Sequence, residues 1–122
     1  MNEIKVVVKG VLIRDNRILI IKRSHTDSFG AGTWEVVGGN LNFGESLEEA
    51  LKREFLEEVG LRITVKSLLF STTFFTSNDR QIVLLFLVSY LTSFNQFISP
   101  QQHSIYYRCL YLMSLGQIFY DL

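Results

Sequence analysis

The sequence predicts a mixed α/β fold. Apolar runs of β type lie both before and after one segment that carries clear helix start and stop signals. The chain has 122 residues, 48% of them apolar, which suffices for a packed core and leads us to expect one domain over residues 1–122.

Ile4 to Arg14 is rich in Val, Ile and Leu and forms the first expected strand. Asp15-Asn16 supplies a two-residue hairpin turn, because both residue types tolerate positive φ. Arg17 to Arg23 returns as a second, mostly apolar strand. The stretch 24–33, with His25, Asp27, Ser28, Gly30 and Gly32, is a loop, and Trp34 to Val37 is a short extended piece leading into Gly38-Gly39. Ser46-Leu47-Glu48-Glu49 is a capping box. The helix it starts runs to about Val59, where Gly60 is placed to end it in the left-handed conformation. Arg62 to Thr76 and Gln81 to Thr92 are two long strands joined by Ser77-Asn78-Asp79. Ile105 to Leu112 gives a last strand, with a short helix in the remainder.

Composition narrows the function classes. Twelve Lys and Arg balance twelve Asp and Glu, so no net field draws the chain to a nucleic acid polymer or an anionic membrane. The longest apolar run, Ile82 to Leu91, is too short to span a bilayer, and the charged start Met1-Asn2-Glu3-Ile4-Lys5 has no export signal. The single cysteine, Cys109, allows no internal disulfide. A cytoplasmic location is expected from these features. Residues 81–122 hold only two charged side chains, Arg108 and Asp121. A central strand with an uncharged tail explains that asymmetry, and a homodimer interface is the sharper alternative.

The helix carries the chemistry. At about 100° per residue, Ala50, Leu47, Leu51, Phe55 and Val59 form one apolar stripe. Glu54 and Glu58 fall inside that stripe and Glu57 on its margin, whereas Arg53 points largely away. Carboxylates on an inward face repel one another and lose hydration unless a cation compensates them. Hard oxygen ligands at i, i+3 and i+4 suit Mg²⁺ or, as a substitute, Mn²⁺, rather than zinc.

The spacing Gly39, five residues, Glu45, seven residues, then Arg53-Glu54-Phe55-Leu56-Glu57-Glu58-Val59-Gly60-Leu61 resembles the Nudix box without a mismatch. Its seven fixed identities would coincide by chance at roughly 10⁻⁹ per start position. Lys22-Arg23, the Gly30-to-Glu35 approach and the Phe43-Gly44-Glu45-Ser46 stretch are similar to MutT-type nucleotide pyrophosphohydrolases, and residues 4–92 fit such a domain. The resemblance implies an α/β/α sandwich with a mixed sheet and one catalytic helix. It also implies Mg²⁺ held by Glu54, Glu57, Glu58 and the carbonyl of Gly38. Glu45 and Arg53 match a pair in which arginine steadies a carboxylate, and Arg23 matches a position that meets substrate. Gly38-Gly39 would let the backbone approach metal and phosphate. Glu57 or Glu54 would accept the proton of the attacking water.

The resemblance implies hydrolysis of a nucleoside triphosphate, an oxidised deoxynucleotide among the candidates, to a monophosphate and pyrophosphate. A nucleoside diphosphate sugar such as ADP-ribose is the alternative substrate. A Nudix-fold module that binds a nucleotide without cleaving it is the alternative of another class. Three departures stand out: Val37 replaces a frequent proline, no Asp or Glu occurs between Asp79 and Asp121, and Cys109 stands where an aromatic is usual. Residues 93–122 match the family weakly. His25 is expected as a loop residue, His103 as surface or packing with a lesser prospect as a base, Cys109 as a buried thiol, Trp34 as core packing, and Phe43 as a flank of the site.

Overall fold

The computed structural model describes residues 1–23, 33–92 and 107–114, with backbone only for Arg23 and 107–114. The loop histidine His25, the glycines Gly30 and Gly32, His103 and the C-terminal helix expected after the last strand lie outside these residues, as do the side chains of Arg23 and Cys109.

The expected hairpin opens the chain. Strands β1 (Glu3–Arg14) and β2 (Arg17–Arg23) pair antiparallel around Asp15 and Asn16, whose φ angles are 51° and 60°. Both turn residues are thus left-handed, as a two-residue turn matched to strand twist requires. The extended piece divides into β3 (Trp34–Glu35), which pairs with β2, and β4 (Val37–Asn40), which pairs with β1. Gly38 and Gly39 therefore continue as strand instead of ending it. The helix α1 (Leu47–Val59) follows, then the long hairpin of β5 (Ile63–Ser77) and β6 (Arg80–Leu91), and finally β7 (Tyr107–Ser114), which pairs with β2.

Topology makes β1 the spine. Its residues Glu3 to Leu12 pair in parallel with Arg80 to Ser89 of β6, while Val7 to Gly10 meet β4 on the other side. The main order is β3-β2-β1-β6-β5, a mixed sheet. β6 thus has a strand on each side. This accounts for the lack of charge over residues 81–91, since a strand flanked on both sides and packed on a face needs apolar side chains. Among the described residues, no helix is long and apolar enough to cross a membrane.

The helix lies on one sheet face and buries Ala50, Leu51, Phe55 and Val59, with Val8, Leu12, Val37, Leu61, Ile63 and Leu87 completing the core. Gly10 lets it come close. A Cβ at that position would run into the ring of Phe55 and the end of Leu51. This contact fixes the height of the helix over β1 and β4, and so the position of Glu54 and Glu58, each one residue before a buried member of the stripe. Truncating Phe55→Ala should lower unfolding free energy by about 3–5 kcal/mol, measured by urea denaturation. A loss below about 1 kcal/mol would mean that Phe55 does not anchor the helix.

Candidate active site

Local chemistry fixes the helix register first. The Ser46 hydroxyl accepts from the Glu49 N–H at 3.1 Å, and the Glu49 carboxylate accepts from the Ser46 N–H at 3.2 Å. Gly60 closes the other end at φ 68°, its N–H donating to the Leu56 carbonyl. With both ends set, Arg53, Glu54, Glu57 and Glu58 take fixed places along the side next to β4 and the 40–45 segment.

Arg53 does not point away, as helical angle alone suggested. Its long side chain turns across the helix and binds four groups. Nε and Nη2 donate to the two oxygens of Glu45 at 2.8 and 3.0 Å. Nη1 donates to Glu54 at 2.8 Å and to Glu57 at 3.3 Å, and Nη2 also donates to the Asn40 carbonyl at 2.9 Å. The bidentate pair with Glu45 is the strongest geometry available to a guanidinium and a carboxylate. Glu45 receives the Asn42 N–H as well, at 2.8 Å. These donors hold its carboxyl below the ordinary range, the Arg53 bond being the main cause. The same carboxylates push the Arg53 guanidinium up, Glu45 foremost.

Glu58 is the opposite case. Burial, reinforced by the negative charge of Glu54, pushes its carboxyl up to about 8 from an ordinary value of 4.5. Lys9 and a hydrogen bond from the Gly38 backbone pull it partly back. One of its oxygens, Oε2, is buried without a hydrogen-bond partner. A buried polar atom without a partner is costly enough to call for a ligand. Gly39 lies directly against the neighbouring carboxylate, since a Cβ there would collide with Glu54. The structure therefore brings Gly38, Gly39, Glu54 and Glu58 together and ties Glu45, Glu54 and Glu57 to Arg53.

A divalent cation fits this donor set. The oxygens are hard, and Arg53 offsets only part of the negative charge of Glu45, Glu54, Glu57 and Glu58. Among the described residues no cage of three acidic, thiol or imidazole side chains is ready-made. Glu54 and Glu57 are turned toward Arg53, with side chains 12% and 58% exposed. Loading the site would require at least Glu57 to swing inward from its long bond.

Sequence reasoning missed Lys9, which reaches the Val36 carbonyl at 3.4 Å and Glu35 at 3.6 Å and faces Glu58. The available signal was a lysine in the middle of an apolar strand. It also missed Asn40 and Asn42, whose contributions come from the backbone. Trp34 is not core packing: it is 47% exposed, with the Lys22 ammonium 5.4 Å from its ring. Among the described residues its two-residue strand ends the sheet, where the ring keeps this exposure. Phe43 is fully exposed, beside a groove of about 480 Å³ that also includes Lys5, Asn42 and Glu45.

Comparison with known proteins shows what the chain and its fold are similar to. A family model described as NUDIX domain matches residues 4–115. An ADP-ribose pyrophosphatase from Methanocaldococcus jannaschii is 45% identical over 64 residues, 52% of this chain and 37% of that protein. An 8-oxo-dGTP diphosphatase from Buchnera aphidicola is 40% identical over 57 residues, 47% of this chain and 43% of that protein. The chain thus spans less than half the length of these curated relatives. The solution structure of the Escherichia coli ORF135 protein superposes with a TM-score of 0.75 at 28% identity, covering 95% of this chain and 77% of that one. The expected sandwich with a mixed sheet is the fold these proteins share.

Glu58 gives a test of stability against binding. Its folded value lies above its unfolded one, so the metal-free protein should lose stability as pH rises from about 4.5 to about 8. Glu58→Gln can donate to Glu54 and carries no charge. It should flatten that slope and raise metal-free stability above pH 8 by on the order of 1 kcal/mol. The same substitution should reduce the thermal shift caused by Mg²⁺. A variant less stable than wild type at high pH would contradict the burial argument.

Proposed function

The chain belongs to the NUDIX domain family, and from that premise we propose that it hydrolyses a pyrophosphate bond in a nucleoside triphosphate with Mg²⁺, releasing a monophosphate and pyrophosphate. The observation that carries this reading is the orphaned Glu58 oxygen beside Glu54 and the Gly38-Gly39 backbone. Glu54, Glu57, Glu58 and the carbonyl of Gly38 would hold the cation. When bound, such an ion neutralises phosphate oxygens and makes water more acidic.

The chain's own residues supply the rest. Glu57 is the better placed proton acceptor, because its exposed carboxylate is held by one long bond, whereas Glu54 is half-buried against Arg53 and Gly39. Arg53 positions both and locks the 40–45 segment to the helix through Glu45. Gly38 and Gly39 let the β4 backbone lie against β1 and against the Glu54 carboxylate, where a Cβ would collide. Arg23 is assigned to substrate from the family position that it matches, and the setting is cytoplasmic.

An oxidised purine deoxynucleotide is the favoured substrate, given the Buchnera relative, and ADP-ribose is the second, given the archaeal one. A panel of triphosphates and diphosphate sugars with Mg²⁺ and Mn²⁺, resolved by product, separates them. Triphosphates should yield monophosphate and pyrophosphate. Turnover of ADP-ribose alone would favour the second substrate, and binding without turnover would favour a non-catalytic module. Glu57→Gln should lower kcat by about 10²–10⁴-fold with the fold intact. Chelation should abolish activity and added Mg²⁺ restore it.

A further inference from the structure

The β5–β6 hairpin presents an unusual edge. Among the described residues β5 has a sheet neighbour on one side only, β6. It runs for fifteen residues, Ile63–Ser77, and carries no charge from Ser67 to its end. Leu68, Leu69, Phe70, Phe74 and Phe75 are 45–69% exposed along it. Proteins usually blunt such edges with lysine, proline, bulges or shortness. Here the register with β6 breaks at Val65/Ser67, Leu68/Phe70 and Phe75/Ser77, leaving Phe70 to Phe75 as a regular uninterrupted stretch.

From this edge we infer that the protein forms a homodimer in which the β5 strands of two copies pair antiparallel about a two-fold axis at Thr72. Outward N–H and C=O groups recur every second residue, so two identical strands related by a two-fold can pair only with one residue opposite itself. Centring on Thr72 places Phe70 of each copy opposite Phe74 of the other, Ser71 opposite Thr73, and Thr72 opposite Thr72. Aromatic pairs and threonine pairs are favourable cross-strand neighbours, and no charge meets a like charge. The stacked ring of Phe86, 4.3 Å from Phe70, extends the aromatic surface on the same face.

Area favours a second copy. At about 200 Å² for a whole large side chain, the five exposed ones offer on the order of 500 Å² per copy. Two copies bring together at most roughly 1,000 Å² of side-chain surface, the range where specific interfaces begin. An uncharged stretch offers no handle for an acidic or basic peptide, whereas an identical strand matches it in composition and concentration. The dimer surface expected in residues 81–122 is therefore placed on β5 instead: of that segment 81–91 lie inside the sheet, and 93–106 and 115–122 lie outside the described residues. This inference is independent of the catalytic reading.

Light scattering from about 1 to 100 µM should show a concentration-dependent mass approaching twice 14.1 kDa. Thr72→Lys puts two ammonium groups on the axis and should weaken the dimer by at least about tenfold. An equimolar mixture of Thr72→Lys and Thr72→Asp should restore it, which no unfolded variant could do. The outward-pointing amides, every second one over residues 70–75, should gain hydrogen-exchange protection with concentration. A monomeric mass throughout, a dimer indifferent to Thr72→Lys, or protection independent of concentration (a segment of the same chain on the edge) would overturn the proposal.

Discussion

The candidate site depends on one guanidinium. Arg53 contacts Glu45, Glu54, Glu57 and the Asn40 carbonyl, so one side chain joins the helix to the segment that leads into it. The partners are unequal. Glu45 takes the bidentate bond and is held ionised, Glu54 takes one short bond, and Glu57 takes the longest. This gradient separates a carboxylate that is structural from one that can turn. Glu58 receives no bond from Arg53; Lys9 and the Gly38 backbone offset its burial in part, and its Oε2 stays buried and unpaired. A site with one satisfied end and one unsatisfied end is arranged to receive a cation, and the instability it carries alone is the counterpart of that affinity.

What was legible in the sequence was local. Asp15-Asn16, the Ser46–Glu49 box and Gly60 each state their own backbone conformation through short-range chemistry, and all three appear where expected. The inward placement of Glu54 and Glu58 also followed from helical period alone. Long-range pairing was not legible. The alignment of β1 with both β4 and β6 sets Lys9 near Glu58 and lays Gly38-Gly39 flat against the sheet. Neither neighbour is close in sequence to what it touches.

Two side chains misled for physical reasons. The direction of a Cα–Cβ bond does not limit Arg53, whose flexible stem lets the charged end reach sideways to Glu54, Glu57 and Glu45. Trp34 has the size of a core residue but sits on a two-residue strand that ends the sheet among the described residues, beside Lys22. Lack of charge likewise does not separate two situations. β6 lacks charge because strands flank it on both sides, while β5, uncharged from Ser67 to Ser77, has one sheet neighbour among the described residues.

The central claim is that the acidic side of α1 receives a divalent cation between the glutamates and the Gly38-Gly39 strand. Titrating Mn²⁺ into isotope-labelled protein tests it directly, because the paramagnetic ion broadens amide resonances close to it. Broadening should concentrate on Gly38, Gly39 and the turn from Glu54 to Glu58, and vanish when Mg²⁺ is added in excess. Resonances that stay sharp there, or broaden first around some other acidic surface, would contradict the account.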